Sequence, residues 1–177
     1  MAAQSEGALF RIQNVSDNAY FAQALPQAVV NCNAMIFVNA ADVLVVDSHS
    51  KPSASAALLA QIKQEITTKP VRYVVNTHFH FDHTQGNHTY RGTATGPIVF
   101  IATDATKKLM SDLAEKRLQD SLAGVAPQID ALAARPAKST SAAEKEWCNK
   151  QIAQLKAYHQ QLQHYDLELP TITFANS

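Results

Sequence analysis

The sequence predicts an α/β fold built on a mixed β-sheet, because strand-like and helix-like segments alternate along its first hundred residues. The apolar, β-branched runs Asp42–Asp47 and Val71–Thr77 have the composition of buried strands. Between them, a segment that opens at Pro52 carries apolar residues at i, i+4 and i+8, the spacing of one helical face. A strand–helix–strand unit implies a parallel strand pair joined by a right-handed crossover.

Further strands are expected on both sides of this unit. The sequence predicts short strands over Leu9–Val15 and Ala28–Asn33, and another over Pro97–Ala102. Ala34–Ala40 and Asp42–Asp47 are both apolar, and the polar turn between them predicts a hairpin.

The second half of the chain is predicted to be helical. Residues 103–165 are rich in Ala, Gln, Lys and Leu, and their apolar stripes are interpreted as core packing. "GVAP" (124–127) and "ARPAKS" (134–139) are expected to interrupt the helices, and Ser141 with Glu144 forms a capping-box pattern before the last one.

One more strand is expected at Thr171–Phe174, after Pro170, and the sequence ends three residues later. We therefore expect 1–177 to be a single domain that is cut short. Its parts would be a β-rich region with the candidate site (1–102), a helical segment (103–169) and the start of a next strand (170–177).

Composition excludes some function classes. Fifteen basic and fifteen acidic residues cancel, which gives no electrostatic case for nucleic acid or an anionic membrane as a partner. Cys32 and Cys148 are expected to be free thiols, with a disulfide between them as the alternative. The N-terminal "MAAQSEG" lacks a basic region followed by an apolar run and is not expected to be a signal peptide. It is interpreted as the trimmed start of a periplasmic or secreted protein, with a cytoplasmic location as the alternative.

The stretch "THFHFDHTQGN" directly follows the predicted strand Val71–Thr77 and carries the candidate site. Ligands of open α/β sheets bind at the carboxyl ends of strands, and imidazole and carboxylate groups are good zinc ligands. His78 and His80 are two residues apart and are expected to point the same way. Asp82 and His83 are adjacent and are expected to point to different sides, so each pair would serve its own metal ion.

The neighbours of these four residues are expected to support the loop. Phe79 and Phe81 would face the core, and Gly86 would let the turn pass close to the site. The remaining histidines are interpreted as loop or helix residues (His49, His88, His159 and His164).

The pattern His78-x-His80-x-Asp82-His83 resembles the H-x-H-x-D-H signature of the metallo-β-lactamase superfamily. The preceding "VLVVDS" resembles the family strand that carries a structural aspartate, here Asp47. The resemblance implies half of an αββα sandwich with a mixed β-sheet and a one- or two-zinc site. His78 and His80 would bind the first metal, and Asp82 and His83 the second. A metal-bound hydroxide, oriented by Asp82, would attack a carbonyl or ester-like bond of a small molecule, with a β-lactam as one candidate.

The sequence departs from the family pattern after Ala102. The family's further histidine, usually in a "GHT"-like motif, its bridging Asp or Cys and its last histidine have no counterpart there. The first interpretation is the N-terminal half of a zinc hydrolase, in which this chain binds zinc weakly or not at all. The alternative is a non-catalytic metal-binding or dimerising module, completed by a second copy or by a missing C-terminal half.

Overall fold

A seven-stranded mixed sheet forms the centre of the computed structural model, which describes residues 7–93, 96–135 and 141–175. The strands are β1 (Phe10–Ser16), β2 (Ala19–Ala24), β3 (Ala34–Val38), β4 (Val43–Val46), β5 (Val71–Val75), β6 (Val99–Thr103) and β7 (Ile172–Phe174). They lie in the sheet in chain order. Strands β1 to β4 pair antiparallel, and β4 to β7 pair parallel. The predicted β3–β4 hairpin and the parallel β4–β5 pair are confirmed.

The helices connect the parallel strands. They are α1 (Pro52–Gln61), which continues into a π-helical turn (Ile62–Ile66), then α2 (Phe81–Thr84), α3 (Asn87–Thr93), α4 (Asp104–Ala134) and α5 (Ala142–Leu162). Pro52 occupies the first turn of α1, as predicted, where its missing N–H leaves no intrahelical bond unmade.

The core lies on one face of the sheet. Ile36, Val45, Val74 and Phe100 are paired in register across four neighbouring strands and are fully buried. Strand side chains alternate between the two faces of a sheet, so these four residues share one face. The core cluster also contains α1 and α3 residues (Leu58 and Tyr90). This packing fixes the strand ends from which the candidate site is built.

Two of the sequence predictions were wrong, and one strand was not predicted. Ala28–Asn33 is not a strand, because a 3-10 turn over Pro26–Ala28 precedes it and Val29 has a positive φ of 52°. The strand that lies between β1 and β3 in the sheet is β2, which was not predicted and pairs with both of them. "GVAP" does not interrupt α4, since the helix runs through Pro127. The carbonyl that this proline leaves without an intrahelical partner belongs to Ala123, an exposed residue that water can reach.

The chain forms two compact units, one of Met1–Asp112 with Asp166–Ser177 and one of Leu113–Tyr165. The single-domain organisation expected from length stays a prediction. In the second unit, the Glu144 N–H donates to Ser141 Oγ at 3.3 Å, which is the predicted N-cap of α5. "ARPAKS" falls largely on residues 136–140, and the N-terminal "MAAQSEG" largely on 1–6, both outside the described residues. Within the described ranges, no helix is long and apolar enough to cross a membrane.

Candidate metal centre

The candidate centre is built where strands β4 and β5 end. Beyond these strands, the Asp47 N–H donates to Val75 O at 2.8 Å, and the Asn76 N–H donates to Ile101 O at 2.9 Å. These bonds hold the first residues past both strands in the plane of the sheet. The loop 77–80 and the short helix α2 then carry the four predicted ligands over this edge.

The first predicted pair meets on one side of the loop. His78 Nε2 lies 3.1 Å from His80 Nδ1, and the two ring centroids are 4.8 Å apart. Burial lowers the pKa of His78, and the neighbouring His83 and His80 imidazoles lower it further. A neutral imidazole keeps a nitrogen lone pair, the form that binds a metal ion.

The second predicted pair does not diverge as expected. His83 Nε2 lies 3.5 Å from Asp82 Oδ2, because residues 81–84 form one helical turn instead of an extended strand end. The His83 ring is also only 4.1 Å from the His78 ring. The four side chains therefore form one cluster, which we call the ligand cluster (His78, His80, Asp82 and His83).

Asp47 holds the ligand cluster in place through hydrogen bonds to His83 and Thr77. Its Oδ2 lies 2.7 Å from His83 Nδ1, and its carboxylate accepts bonds from the N–H and the hydroxyl of Thr77 at 2.9 Å each. A carboxylate only accepts hydrogen bonds, so the His83 proton belongs on Nδ1 and its Nε2 faces the cluster. Thr77 Oγ1 also lies 3.0 Å from His78 Nδ1. One carboxylate thus orients His83 directly and His78 through Thr77.

His49 lies in the loop after β4, as expected, yet it is fully buried. Its ring stacks on Phe10 with centroids 4.8 Å apart, and its Nδ1 lies 3.1 Å from Cys32 Sγ. Burial is the main cause that lowers its pKa to about 4, so the ring is neutral at pH 7.

Cys32 supports the backbone of the ligand cluster. Its Sγ donates to Asp82 O at 2.5 Å, and burial first, then the Asp47 and Asp82 charges, raise its pKa to about 12. The thiol is therefore protonated at neutral pH and is a poor nucleophile. Cys32 and Cys148 are both free, as expected.

The two phenylalanines of the loop do not join the core, which corrects the sequence expectation. Phe79 and Phe81 are half-buried and lie outside the core cluster. The Phe79 ring centroid is 4.7 Å from that of His80 and 6.5 Å from that of His78. Phe79 therefore packs beside the ligand histidines.

Gly86 closes the loop by a close approach between chain segments, as expected. Its N–H donates to His49 O at 2.9 Å, and a Cβ on Gly86 would collide with Ser48 O and Ser55 Oγ.

Sequence reasoning missed four buried residues under the loop (Cys32, Ser48, Asn76 and Asn87). The only signal in the sequence is that polar residues flank the histidine stretch, in "VVNT" and "QGN".

The donor chemistry of the ligand cluster suits zinc. Imidazole nitrogens and a carboxylate oxygen are common zinc donors. Asp47 and Thr77 lie within hydrogen-bond distance of the His83 and His78 rings and orient them. Across ranges 7–93, 96–135 and 141–175, no group of three or more His, Cys, Asp or Glu side chains is arranged to hold one ion. The cluster therefore offers its donors in pairs.

Comparison with known proteins gives a family. The family model of the metallo-β-lactamase superfamily matches residues 28–142, well over half of the chain. No curated protein sequence matches.

Similar solved structures give the fold. A metallo-β-lactamase from Hirschia baltica has a TM-score of 0.50 and 19% identity, over 59% of this chain and 48% of that one. A metallo-β-lactamase from Erythrobacter litoralis, with beta mercaptoethanol in its active site, has a TM-score of 0.50 and 17% identity, over 60% of this chain and 47% of that one. The metallo-β-lactamase FIM-1 from Pseudomonas aeruginosa, in its mono-zinc form, has a TM-score of 0.49 and 19% identity, over 58% of this chain and 46% of that one. The chain spans about half the length of these proteins.

Proposed function

Because the chain belongs to the metallo-β-lactamase superfamily, we propose that it carries the first ligands of a zinc-dependent hydrolase. The observation that supports this most is the convergence of His78 Nε2, His80 Nδ1, His83 Nε2 and Asp82 Oδ2 on one cluster at the strand ends. The proposed substrate is a small molecule with a carbonyl or ester-like bond, and a β-lactam is the first candidate.

The four donors would hold metal in two pairs. His78 and His80 would bind one zinc ion, and Asp82 and His83 the other. Zinc, when bound, supplies a Lewis acid that polarises a carbonyl and makes water acidic enough to act as a nucleophile near pH 7. Zinc sites use three protein ligands or more, so each pair needs further donors, and we propose weak zinc binding by these 177 residues alone.

The chain's own residues would prepare the nucleophile. Asp82 is 29% exposed at its side chain, so one side of the carboxylate faces solvent and would orient the attacking water by accepting a hydrogen bond. Asp47 would keep the proton on His83 Nδ1, and with it the lone pair on Nε2. Phe79, beside the histidines, would limit water access from its side.

The proposal is tested by hydrolysis of a cephalosporin, a thioester and a lactone by the purified 177-residue chain in excess zinc. We expect slow, zinc-dependent turnover of at least one substrate. Asp82→Asn should abolish this turnover, and Asp120→Asn, a control at an exposed residue, should leave it unchanged. No turnover above background, or turnover that survives a chelator, would contradict the hydrolase. Efficient turnover would contradict the half-site.

A further inference from the structure

Three polar side chains are buried beneath the ligand cluster: Ser48, Asn76 and Asn87 are 0%, 2% and 1% exposed. They come from the end of β4, the end of β5 and the start of α3. Burying a polar group is costly unless its hydrogen bonds are made. Their bonding therefore shows what they hold in place.

The backbone carbonyl of His83 is the shared acceptor of this network. It receives the Ser48 N–H at 3.0 Å and Asn76 Nδ2 at 3.0 Å. The single Ser48 hydroxyl hydrogen is shared between this carbonyl at 3.2 Å and Asn87 Oδ1 at 2.8 Å. A carbonyl oxygen has two lone pairs, so the two N–H donors already use its capacity. The His83 backbone is thus tied to both strand ends at once.

Asn76 and Asn87 lock each other. Asn87 Nδ2 donates to Asn76 Oδ1 at 2.8 Å, and Asn76 Nδ2 donates to Asn87 Oδ1 at 3.1 Å. The second N–H of Asn87 reaches Glu168 O at 3.2 Å, and the second N–H of Asn76 is the one on His83 O. All four amide hydrogens are used, so neither side chain can rotate without losing bonds, and such a network is rigid.

We infer that the Asn76–Asn87 amide pair, with Ser48, is a positioning unit that sets the direction of the His83 imidazole. The unit holds the backbone of His83 while Asp47 holds its ring at Nδ1, so the residue is fixed at both ends. His78 and His80 lie in the loop before α2, and the hydrogen bonds found for the described residues link neither of them directly to Ser48, Asn76 or Asn87. Their link to the held backbone is the His83 N–H, which donates to His80 O at 3.0 Å. The consequence for metal rests on the proposed function: the Asp82–His83 pair depends on the unit more than the His78–His80 pair does.

The first test needs no metal. Asn87→Asp keeps the side-chain shape but removes the two donated bonds and places a carboxylate beside the oxygens of Asn76 and Glu168. In the ¹⁵N-histidine NMR spectrum of the metal-free chain, we expect the His83 ring signals to shift or broaden while those of His159 stay unchanged. Asn33→Asp is the matched control, because the Asn33 side chain accepts a bond from the Ala24 N–H, which a carboxylate also does.

Ser48→Ala removes only the hydroxyl bonds and should move the His83 signals in the same direction by less. It decides the question if Asn87→Asp does not fold. Unchanged His83 signals in a folded Asn87→Asp chain, or in Ser48→Ala when Asn87→Asp is unfolded, would overturn the inference.

The second test is a cobalt titration followed by the visible spectrum. We expect Asn87→Asp to lower the cobalt affinity of the Asp82–His83 pair by about 10- to 100-fold, the range for loss of a group that orients a metal ligand, and to lower that of the His78–His80 pair by much less. An equal loss of cobalt affinity at both pairs would overturn the inference that the unit acts mainly on the Asp82–His83 pair. A wild-type chain that binds no cobalt would contradict the proposed function, while the NMR comparison would still decide the positioning role.

Discussion

Asp47 is the residue on which most of the ligand cluster depends, because its carboxylate contacts both His83 and Thr77. Asp47→Asn replaces a carboxylate, in which both oxygens accept hydrogen bonds, by an amide with one accepting oxygen and one N–H donor group. His83 therefore loses the preference for a proton on Nδ1. We expect zinc affinity to fall by about 10- to 100-fold, measured by competition with a chromogenic chelator. Asp42→Asn, at the other end of β4, is the control and should change affinity little; equal losses in both variants would contradict the role of Asp47.

His49 makes the stability of the metal-free protein depend on pH. Its pKa is about 4 in the folded chain and 6.5 as an ordinary value, so between these values the unfolded state binds the extra proton. Stability therefore falls as pH drops through this window, by roughly 3 kcal/mol in total. Urea unfolding at several pH values measures it.

His49→Asn tests this directly, since asparagine tolerates the positive φ of 69° at this position. The variant should show a flatter dependence of unfolding free energy on pH between about 4 and 6.5 than the wild type. His164→Asn, an exposed residue, should keep the wild-type slope. The same slope in all three chains would rule out His49 as the cause.

At this scale, the four candidate ligands could be predicted because they are neighbours in the sequence. The direction of His83 could not, since one helical turn brings it onto Asp82. The Ser48–Asn76–Asn87 network was also invisible, because its members lie up to 39 residues apart and meet only when β4 and β5 pair. Hydrogen-bond partners set by strand pairing leave no local pattern.

Among the elements, the turn from α2 into α3 depends on one glycine. A Cβ at Gly86 would overlap Ser48 O, a backbone atom that cannot move without shifting the end of β4. We expect Gly86→Ala to destabilise the fold by about 2 kcal/mol or more, as overpacking does.

Gly92 in α3 is the matched control, because nothing lies within 4 Å of a Cβ placed there. Gly92→Ala should be neutral or stabilise the fold by about 0.5–1 kcal/mol, the helix preference of alanine over glycine. Thermal unfolding of both variants makes the comparison. Similar melting temperatures for the two would contradict the close approach at Gly86.

Element prediction succeeded where burial produces a pattern within the element itself. β4 (VLVV) and β5 (VRYVV) are each rich in valine, and the helical segment between them indicated a parallel pair. β2 was missed because its sequence, AYFAQA, has no β-branched residue and it is a strand through its pairing with both neighbours. Pro127 was misread because a proline weakens a helix without always ending it.

At the scale of the whole molecule, the face of the sheet opposite the core bears on whether the chain binds a second copy of itself. Met35, Val46, Val75 and Ile101 lie in register on that face and are only half-buried. The alternative interpretation, a module completed by a second copy, stays a prediction. It expects zinc-dependent association in sedimentation velocity, whereas a strict monomer with and without zinc would count against it.

The most direct measurement of the central claim is the zinc content of the dialysed chain, determined by elemental analysis over a range of free zinc concentrations. We expect weak binding of up to two zinc ions. His78→Ala with His80→Ala should remove one ion, Asp82→Ala with His83→Ala should remove the other, and His159→Ala with His164→Ala should remove neither. Zinc binding that survives the loss of all four residues of the ligand cluster, or no binding by the wild-type chain at any concentration, would contradict it.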